Sequence, residues 1–239
     1  MFQDGWRLAP RNPESYPCPV KPLVTVIIPT FDRSDALTVR SMPSVMNQTY
    51  QHWEMLVLGD GCSPYHAEVA ETFARLDPRV SFVNLPRQDY PADPISAWLI
   101  SGSGVSNYGL DHAGGDWVCW CGDDDEMLPT YIETLLGEAD RQRVDAIYCP
   151  VEVVGATFDN ATVVDGKVVL GSWPPYLAGQ TYPLLVKKNP VRFDTECWRE
   201  GLPNDWDYWT RLMEAGVKFG FYPEPLFRFH PSARAARYV

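Results

Sequence analysis

Leu23-Val24-Thr25-Val26-Ile27-Ile28, stopped by Pro29-Thr30-Phe31-Asp32-Arg33, is the stretch on which the fold turns. The run is β-branched and of strand length, and it does not alternate polar with apolar residues. That is the pattern of a strand covered on both faces. Met55-Leu56-Val57-Leu58 has the same character and ends at Gly59-Asp60-Gly61. Val80-Ser81-Phe82-Val83 and Trp117-Val118-Cys119-Trp120-Cys121 follow, and Asp145-Ala146-Ile147-Tyr148 opens a fifth strand. Helical spacings separate them. Residues 34–47 read as a helix with Ser34 at its N-cap and a break at Pro43. Residues 65–76 place Val69, Ala70, Phe73 and Leu76 on one face, and 105–113 form a short helix. Pro129 fits the first turn of a helix carrying Ile132, Leu135, Leu136 and Ala139. Strands alternating with helices specify an α/β domain with a mostly parallel sheet.

The pattern changes after residue 150. Residues 151–158 and 162–170 read as strands, with Asp165-Gly166 as a hairpin turn. Residues 171–181 read as a loop, and 205–215 as an amphipathic helix ended by Gly216. Val217–Phe221 and Leu226–Phe229 read as closing strands, a small antiparallel elaboration. Residues 1–22, with Pro10, Pro13, Pro17, Pro19 and Pro22, form an extended arm.

The 239 residues are 45% apolar, enough for one domain with a real core. A net charge of −11 excludes the basic stripe of a nucleic-acid binder and the polybasic patch of a membrane-surface protein. The six cysteines contain no C-x-x-C pair, so they read as buried thiols in a reducing compartment. With no secretory leader or membrane-length apolar run, the chain is expected to be soluble and cytoplasmic.

Ligands of open α/β sheets bind beyond the carboxyl ends of the strands. Pro29–Arg33, Gly59-Asp60-Gly61 and Asp123-Asp124-Asp125 all fall at such ends and would converge on one crevice. Three neighbouring carboxylates repel one another, and a hard divalent cation relieves the repulsion. The plainer alternative is a solvated turn leading into the next helix.

At these residues the chain resembles family 2 glycosyltransferases of the GT-A (Rossmann-like) fold. The likeness runs from Leu23–Arg33 through Ser44–Tyr50, Trp53–Ser63, Ser106–Leu110, Ala113–Val118 and Asp123–Pro129. It resumes at Asn204–Leu212 and Arg228–Ser232. The resemblance implies a donor half (23–150) and an acceptor and catalytic-base half (151–239) of one domain. It implies an inverting transfer of sugar from a nucleotide-sugar, UDP-linked by preference, to an acceptor hydroxyl. Pro29, Thr30, Phe31, Arg33, Asn107, Asp123 and Asp124 would line the donor, and Asp60 would accept from the base imide. Mn²⁺ or Mg²⁺ would be held by Asp124 or Asp125, with His230 as ligand, diphosphate contact or plain structural residue. Asp205 is preferred to Asp207 as general base, although Asp205 also suits the N-cap of its helix. Arg228 would reach phosphate or pair with a surface acid. Trp206 and Trp209 would stack on an acceptor sugar or pack in the core.

Four departures stand out: Gly59, Ser106, Gly122 and Asn204 occupy positions where the family often has Asp, Arg, Asp and Glu. They keep a non-catalytic sugar-binding module as an alternative. A sugar-1-phosphate nucleotidyltransferase would require a glycine-rich loop after the first strand, which Pro29–Arg33 does not supply. Residues 86–104 and 171–200 would set sugar and acceptor, with 92–94 and 101–104 as mobile points.

Overall fold

A computed structural model describes residues 21–155, 162–164, 167–170 and 183–231. The arm (1–20), the Asp165-Gly166 turn and the 171–181 loop lie outside the described residues. Two sheets form the frame. The central sheet uses β1 (Val24–Thr30), β2 (Trp53–Asp60), β3 (Val80–Leu85) and β4 (Trp117–Trp120). The short β5 (Glu126–Met127) leaves it, β6 (Ala146–Tyr148) returns, and β7 (Val151–Val153), β8 (Thr162–Val164) and β9 (Lys167–Leu170) lie outside it. It is completed by β10 (Leu184–Lys187) and β11 (Phe219–Phe221), before the last strand β12 (Phe227–Phe229). Its order is β11-β6-β10-β4-β1-β2-β3, and the second sheet runs β5-β12-β7-β9-β8.

All central pairings are parallel except those of β10, which is antiparallel to both β4 and β6. The sheet is therefore mixed by one inserted strand, from a stretch to which the sequence reading assigns no element. Leu184, Leu185 and Val186 are fully buried, as a strand between two neighbours must be. The two halves of the chain interleave: 151–239 gives β10 and β11 to the central sheet, while β5 joins the second sheet beside β12.

The first helix keeps its direction past Pro43 without a break. It runs α1 (Ser34–Ala36), a π turn (Leu37–Ser41) and α2 (Met42–Met46). Proline lacks the N–H and crowds the carbonyl four residues back; the wider turn relieves both. Its N-cap is Arg33, not Ser34, whose Oγ instead lies 2.6 Å from His66 Nδ1.

Then come α3 (Pro64–Ala74), α4 (Pro94–Leu99), α5 (Ser103–His112), α6 (Tyr131–Gln142) and α7 (Asn204–Glu214). Leu76 lies past α3 and is exposed, so the buried stripe is Ala70 and Ala74 with Phe73 partly covered. Pro129 precedes α6, whose N-cap is Thr130. The unforeseen α4 is capped by Asp93 Oδ2, which accepts from Ser96 N (2.8 Å), so 92–94 is a helix start and not a hinge. β7 stops at Val153, short of the strand expected to 158. Two apolar clusters fill the faces of the central sheet, one under α2, α3 and α6, the other under α5 and α7. α5 lies close because Gly109 has no side chain: a Cβ there would come within 2.8 Å of Ile27 Cδ1 and 2.9 Å of Leu58 Cδ1.

Candidate functional site

Parallel pairing brings the carboxyl ends of β1, β2 and β4 to one edge of the sheet. Thr30, Asp60 and the Asp123–Asp125 turn meet there. The backbone between Thr30 and Ser34 is held by Asp32, in the left-handed region at φ 50, whose Oδ1 accepts from Ser63 N (2.8 Å). Aspartate tolerates that conformation better than most residues.

The three acids differ sharply in surroundings. Asp123 is 8% exposed and accepts from Thr30 Oγ1 (2.9 Å), Phe31 N (3.3 Å) and Arg33 Nη1 (3.3 Å). Burial, opposed by Arg33, pushes its pKa up to about 6. Asp125 is 1% exposed and accepts from the His230 backbone N–H (2.9 Å); burial and then the Asp124 charge drive its pKa well up. Asp124 is the partly open one, pairing with Arg33, while Arg40 Nη1 donates to its main-chain oxygen (2.5 Å). Of the two carboxylates named for the ion, Asp124 is thus the more open and Asp125 the buried one.

Asp60 is 4% exposed and surrounded by donors: Arg87 Nη1 (3.1 Å), Gln88 N (2.8 Å) and Tyr90 Oη (2.5 Å). The Arg87 guanidinium lies over Phe31, 3.6 Å from its ring centre, and also over Tyr90 at 4.6 Å. Sequence reasoning missed Arg87, Gln88 and Tyr90. They follow β3 in a stretch with no periodicity, and only the arginine among aromatics hinted at them.

The Asn107 side chain is engaged by backbone. Its Nδ2 donates to Phe193 O (2.9 Å) and its Oδ1 accepts from Phe193 N (2.8 Å), so it fastens α5 to the 190s segment. Pro29 stays near the edge, packed within 3.5 Å of where a Cβ on Gly102 would be.

In the first turn of α7, Asp205 is not the N-cap, which is Pro203; its Oδ1 accepts from Trp206 N (2.7 Å). No basic side chain pairs with it among the described residues, and burial pushes its pKa up to about 7 although part of it stays open to solvent. Asp207 is held by Arg211 Nε (2.7 Å), and Arg211 also grips Asp194 Oδ2 (2.5 Å). Trp209 is buried between Tyr148 and Phe219, whereas Trp206 is 43% exposed. Arg228 pairs with Glu152 (3.3 Å) and Glu126 (3.4 Å), the surface-acid alternative.

Asn204 connects this turn to the strand-end edge. Its Nδ2 donates to Ser101 O (2.9 Å) and Ser103 Oγ (2.8 Å). Between those residues, Gly102 N donates to Tyr90 Oη (3.3 Å), which itself donates to Asp60. Asn204, the neighbour of Asp205 in the chain, is therefore linked to Asp60 through the 101–103 segment and Tyr90.

The family model for glycosyl transferase family 2 matches residues 25–97 and 101–199, which span β1 through the joint before α7. The chain belongs to glycosyl transferase family 2. Among curated family members, it is 33% identical over 119 residues to a GalNAc(5)-diNAcBac-PP-undecaprenol beta-1,3-glucosyltransferase of Campylobacter jejuni, covering 49% of this chain and 35% of that one. It is 25% identical over 228 residues to the amylovoran biosynthesis glycosyltransferase AmsB of Erwinia amylovora, covering 88% and 70%. The chain thus spans about a third of the first relative's length. In fold it matches S. aureus TarS, TM-score 0.64 at 15% identity, covering 87% of this chain and 36% of TarS. It also matches the mannosyltransferase PcManGT from Pyrobaculum calidifontis, solved with GDP-Man and Mn²⁺, TM-score 0.60 at 14% identity, covering 90% and 58%. The fold is that of the GT-A glycosyltransferases.

A Cβ at 122 would collide with Asp125 Oδ2. The expected ligand set of Asp124, Asp125 and His230 is not gathered: no group of three His, Cys, Asp or Glu side chains is arranged to hold an ion among the described residues. The donor chemistry still fits one mode. Mg²⁺-type ions take one or two carboxylates and complete their shell with substrate phosphates and water. Asp124 offers such a carboxylate. Beside the tip, His230 Nε2 is buried without a hydrogen bond, 3.8 Å from Glu126, and burial and Arg40 lower its pKa. No helix among the described residues is long and apolar enough to cross a membrane.

Proposed function

We propose that this chain transfers a sugar from a UDP-linked donor to an acceptor hydroxyl with inversion, using a divalent cation. The observation that carries the reading is the state of Asp205: a carboxylate with no cationic partner among the described residues and a pKa near 7, in the first turn of α7. A group in that condition suits proton removal from an acceptor at neutral pH. Asp207 carries Arg211 and is poorly placed for the same task. Base and leaving diphosphate on opposite sides of the anomeric carbon give in-line displacement, hence inversion.

Thr30, Phe31, Arg33, Asp60, Asp123 and Asp124 form the donor side. Phe31 offers a half-open ring for the base, and Asp60 an acceptor for its imide, reached once Arg87 gives way. The preference for UDP draws support from TarS, solved with UDP-GlcNAc, and the ion from PcManGT, solved with Mn²⁺. When bound at Asp124, with His230 as a further candidate ligand, the ion would neutralise the departing diphosphate. Trp206 provides an exposed ring beside the base for an acceptor sugar. Among the described residues five cysteines are buried and unpaired, which fits action in a reducing, cytoplasmic compartment.

Incubation with a panel of UDP-sugars and Mn²⁺ or Mg²⁺, with UDP release as readout, tests the reading. Release that needs the ion and is lost in Asp205→Asn supports it. Binding of a nucleotide-sugar with no release under any condition would favour the non-catalytic module to which Gly122 and Ser106 point.

A further inference from the structure

We propose that Arg33 is the resident counter-cation of the acidic tip, so that the divalent ion seats together with the donor diphosphate and not ahead of it. This rests on the functional reading above. The Arg33 guanidinium lies 3.3 Å from Asp123 Oδ1 and is paired with Asp124 Oδ2. It thereby occupies the outward carboxylate that an entering ion would need. A guanidinium keeps its proton at any working pH, so the group leaves the site only by swinging.

The backbone beneath it is fixed, since Asp32 is tied to Ser63 and Arg33 itself begins α1. The movement is confined to side-chain torsions, and the side chain is 36% exposed, which leaves it room. An ion arriving alone would have to displace a like charge into water and would gain two carboxylates at most. An ion arriving on a diphosphate lets Arg33 exchange carboxylate for phosphate, which its planar fork suits equally well. Charge stays balanced throughout the exchange. Arg40 contributes positive potential but bonds only a main-chain oxygen of Asp124, so it does not block the ligand.

Mn²⁺ titration followed by the electron paramagnetic resonance signal of the free ion, with and without UDP, tests the exchange. Wild-type protein should bind Mn²⁺ weakly alone and at least about tenfold more tightly with UDP. Arg33→Gln should bind Mn²⁺ alone at least about tenfold more tightly than wild type, while losing UDP affinity. Arg33→Lys, which keeps the charge without the fork, should fall between and serves if the Gln variant folds poorly. Arg40→Gln controls for general loss of positive charge and should stay within about threefold. No tightening in either Arg33 variant, or equal tightening in Arg40→Gln, overturns the proposal. Wild-type protein that binds no UDP in any condition would instead overturn the donor reading, while the Mn²⁺-alone arm still judges Arg33.

Discussion

The acidic tip after β4 and the acidic first turn of α7 are built from the same side chain and differ in their counter-charges. At the tip, Asp123 and Asp124 share the Arg33 guanidinium, and Asp125 is buried against the His230 backbone. In α7, Asp205 receives one main-chain N–H and no cation among the described residues, two positions from an Asp207 that is fully engaged by Arg211. The difference follows from what each group is asked to do. A carboxylate that must accept a cation gains from being ionised and shielded until the ligand arrives. One that must take a proton gains from having its charge penalised, because its affinity for protons rises with that penalty.

The sharpest way to break the contrast is Asp205→Asn. Loss of a general base costs about 10²–10⁴-fold in turnover. UDP affinity should hold within about threefold, because Asp205 lies on the acceptor side. Steady-state kinetics and calorimetric UDP titration on the same preparation check both halves. Full transfer by the variant would move the base elsewhere.

The pH profile is the next test. With the Asp205 pKa near 7, kcat/KM should fall about tenfold for each pH unit below that value, since only the ionised form removes a proton. A profile flat from pH 5 to 8 would mean that Asp205 titrates in the ordinary carboxylate range of about 4 and is not primed for proton removal.

Restoring the family residue by Gly122→Asp should weaken the protein instead of improving its ion site. The new Cβ meets Asp125 Oδ2, and a further charge joins a crowded turn. Overpacking of this kind costs about 1–3 kcal/mol, read as a lowered denaturation midpoint. A variant as stable as wild type with tighter Mn²⁺ binding would show that the turn can relax.

These contrasts were only partly legible in the sequence. The central strands were, because Val26 and Ile28 on one face of the sheet and Ile27 and Leu58 on the other are all apolar and buried, the pattern of a strand covered on both sides. β10 was not. Leu184-Leu185-Val186 is too short to announce a strand, and its antiparallel course is set by the neighbours it slots between. α4 was hidden by Pro94, which reads as a loop signal until Asp93 is seen capping the turn behind it. Within the site, the positions of Asp60, Asp124 and Asp205 followed from motif order. The counter-charges of Asp60 and Asp124 did not, because Arg87 and Arg33 find them through tertiary geometry. The same holds for Asn107: nothing local reveals that its amide closes on Phe193.

The smallest expected effects lie in stability, and they have opposite signs at Asp205 and Asp207. A carboxyl whose folded pKa is raised holds its proton more tightly in the native state than in the unfolded chain. Stability is therefore lost as pH rises from about 4, the unfolded value, through about 7, and the full cost is present above that. Asp205→Asn removes the penalty, so at pH 8 the inactive variant should be more stable than wild type. Each tenfold gain in proton affinity on folding corresponds to about 1.4 kcal/mol, and partial solvent access discounts the total to roughly 1–3 kcal/mol. At pH 4 the two proteins should melt together. Asp207→Asn breaks a partly exposed pair with Arg211 and should cost about 0–1 kcal/mol at pH 8, with transfer kept within about threefold. Denaturant titrations of both variants at pH 4 and pH 8 decide the matter. If Asp205→Asn loses stability at pH 8 as Asp207→Asn does, Asp205 is an ordinary paired surface acid, and the division of labour between the two acidic regions fails.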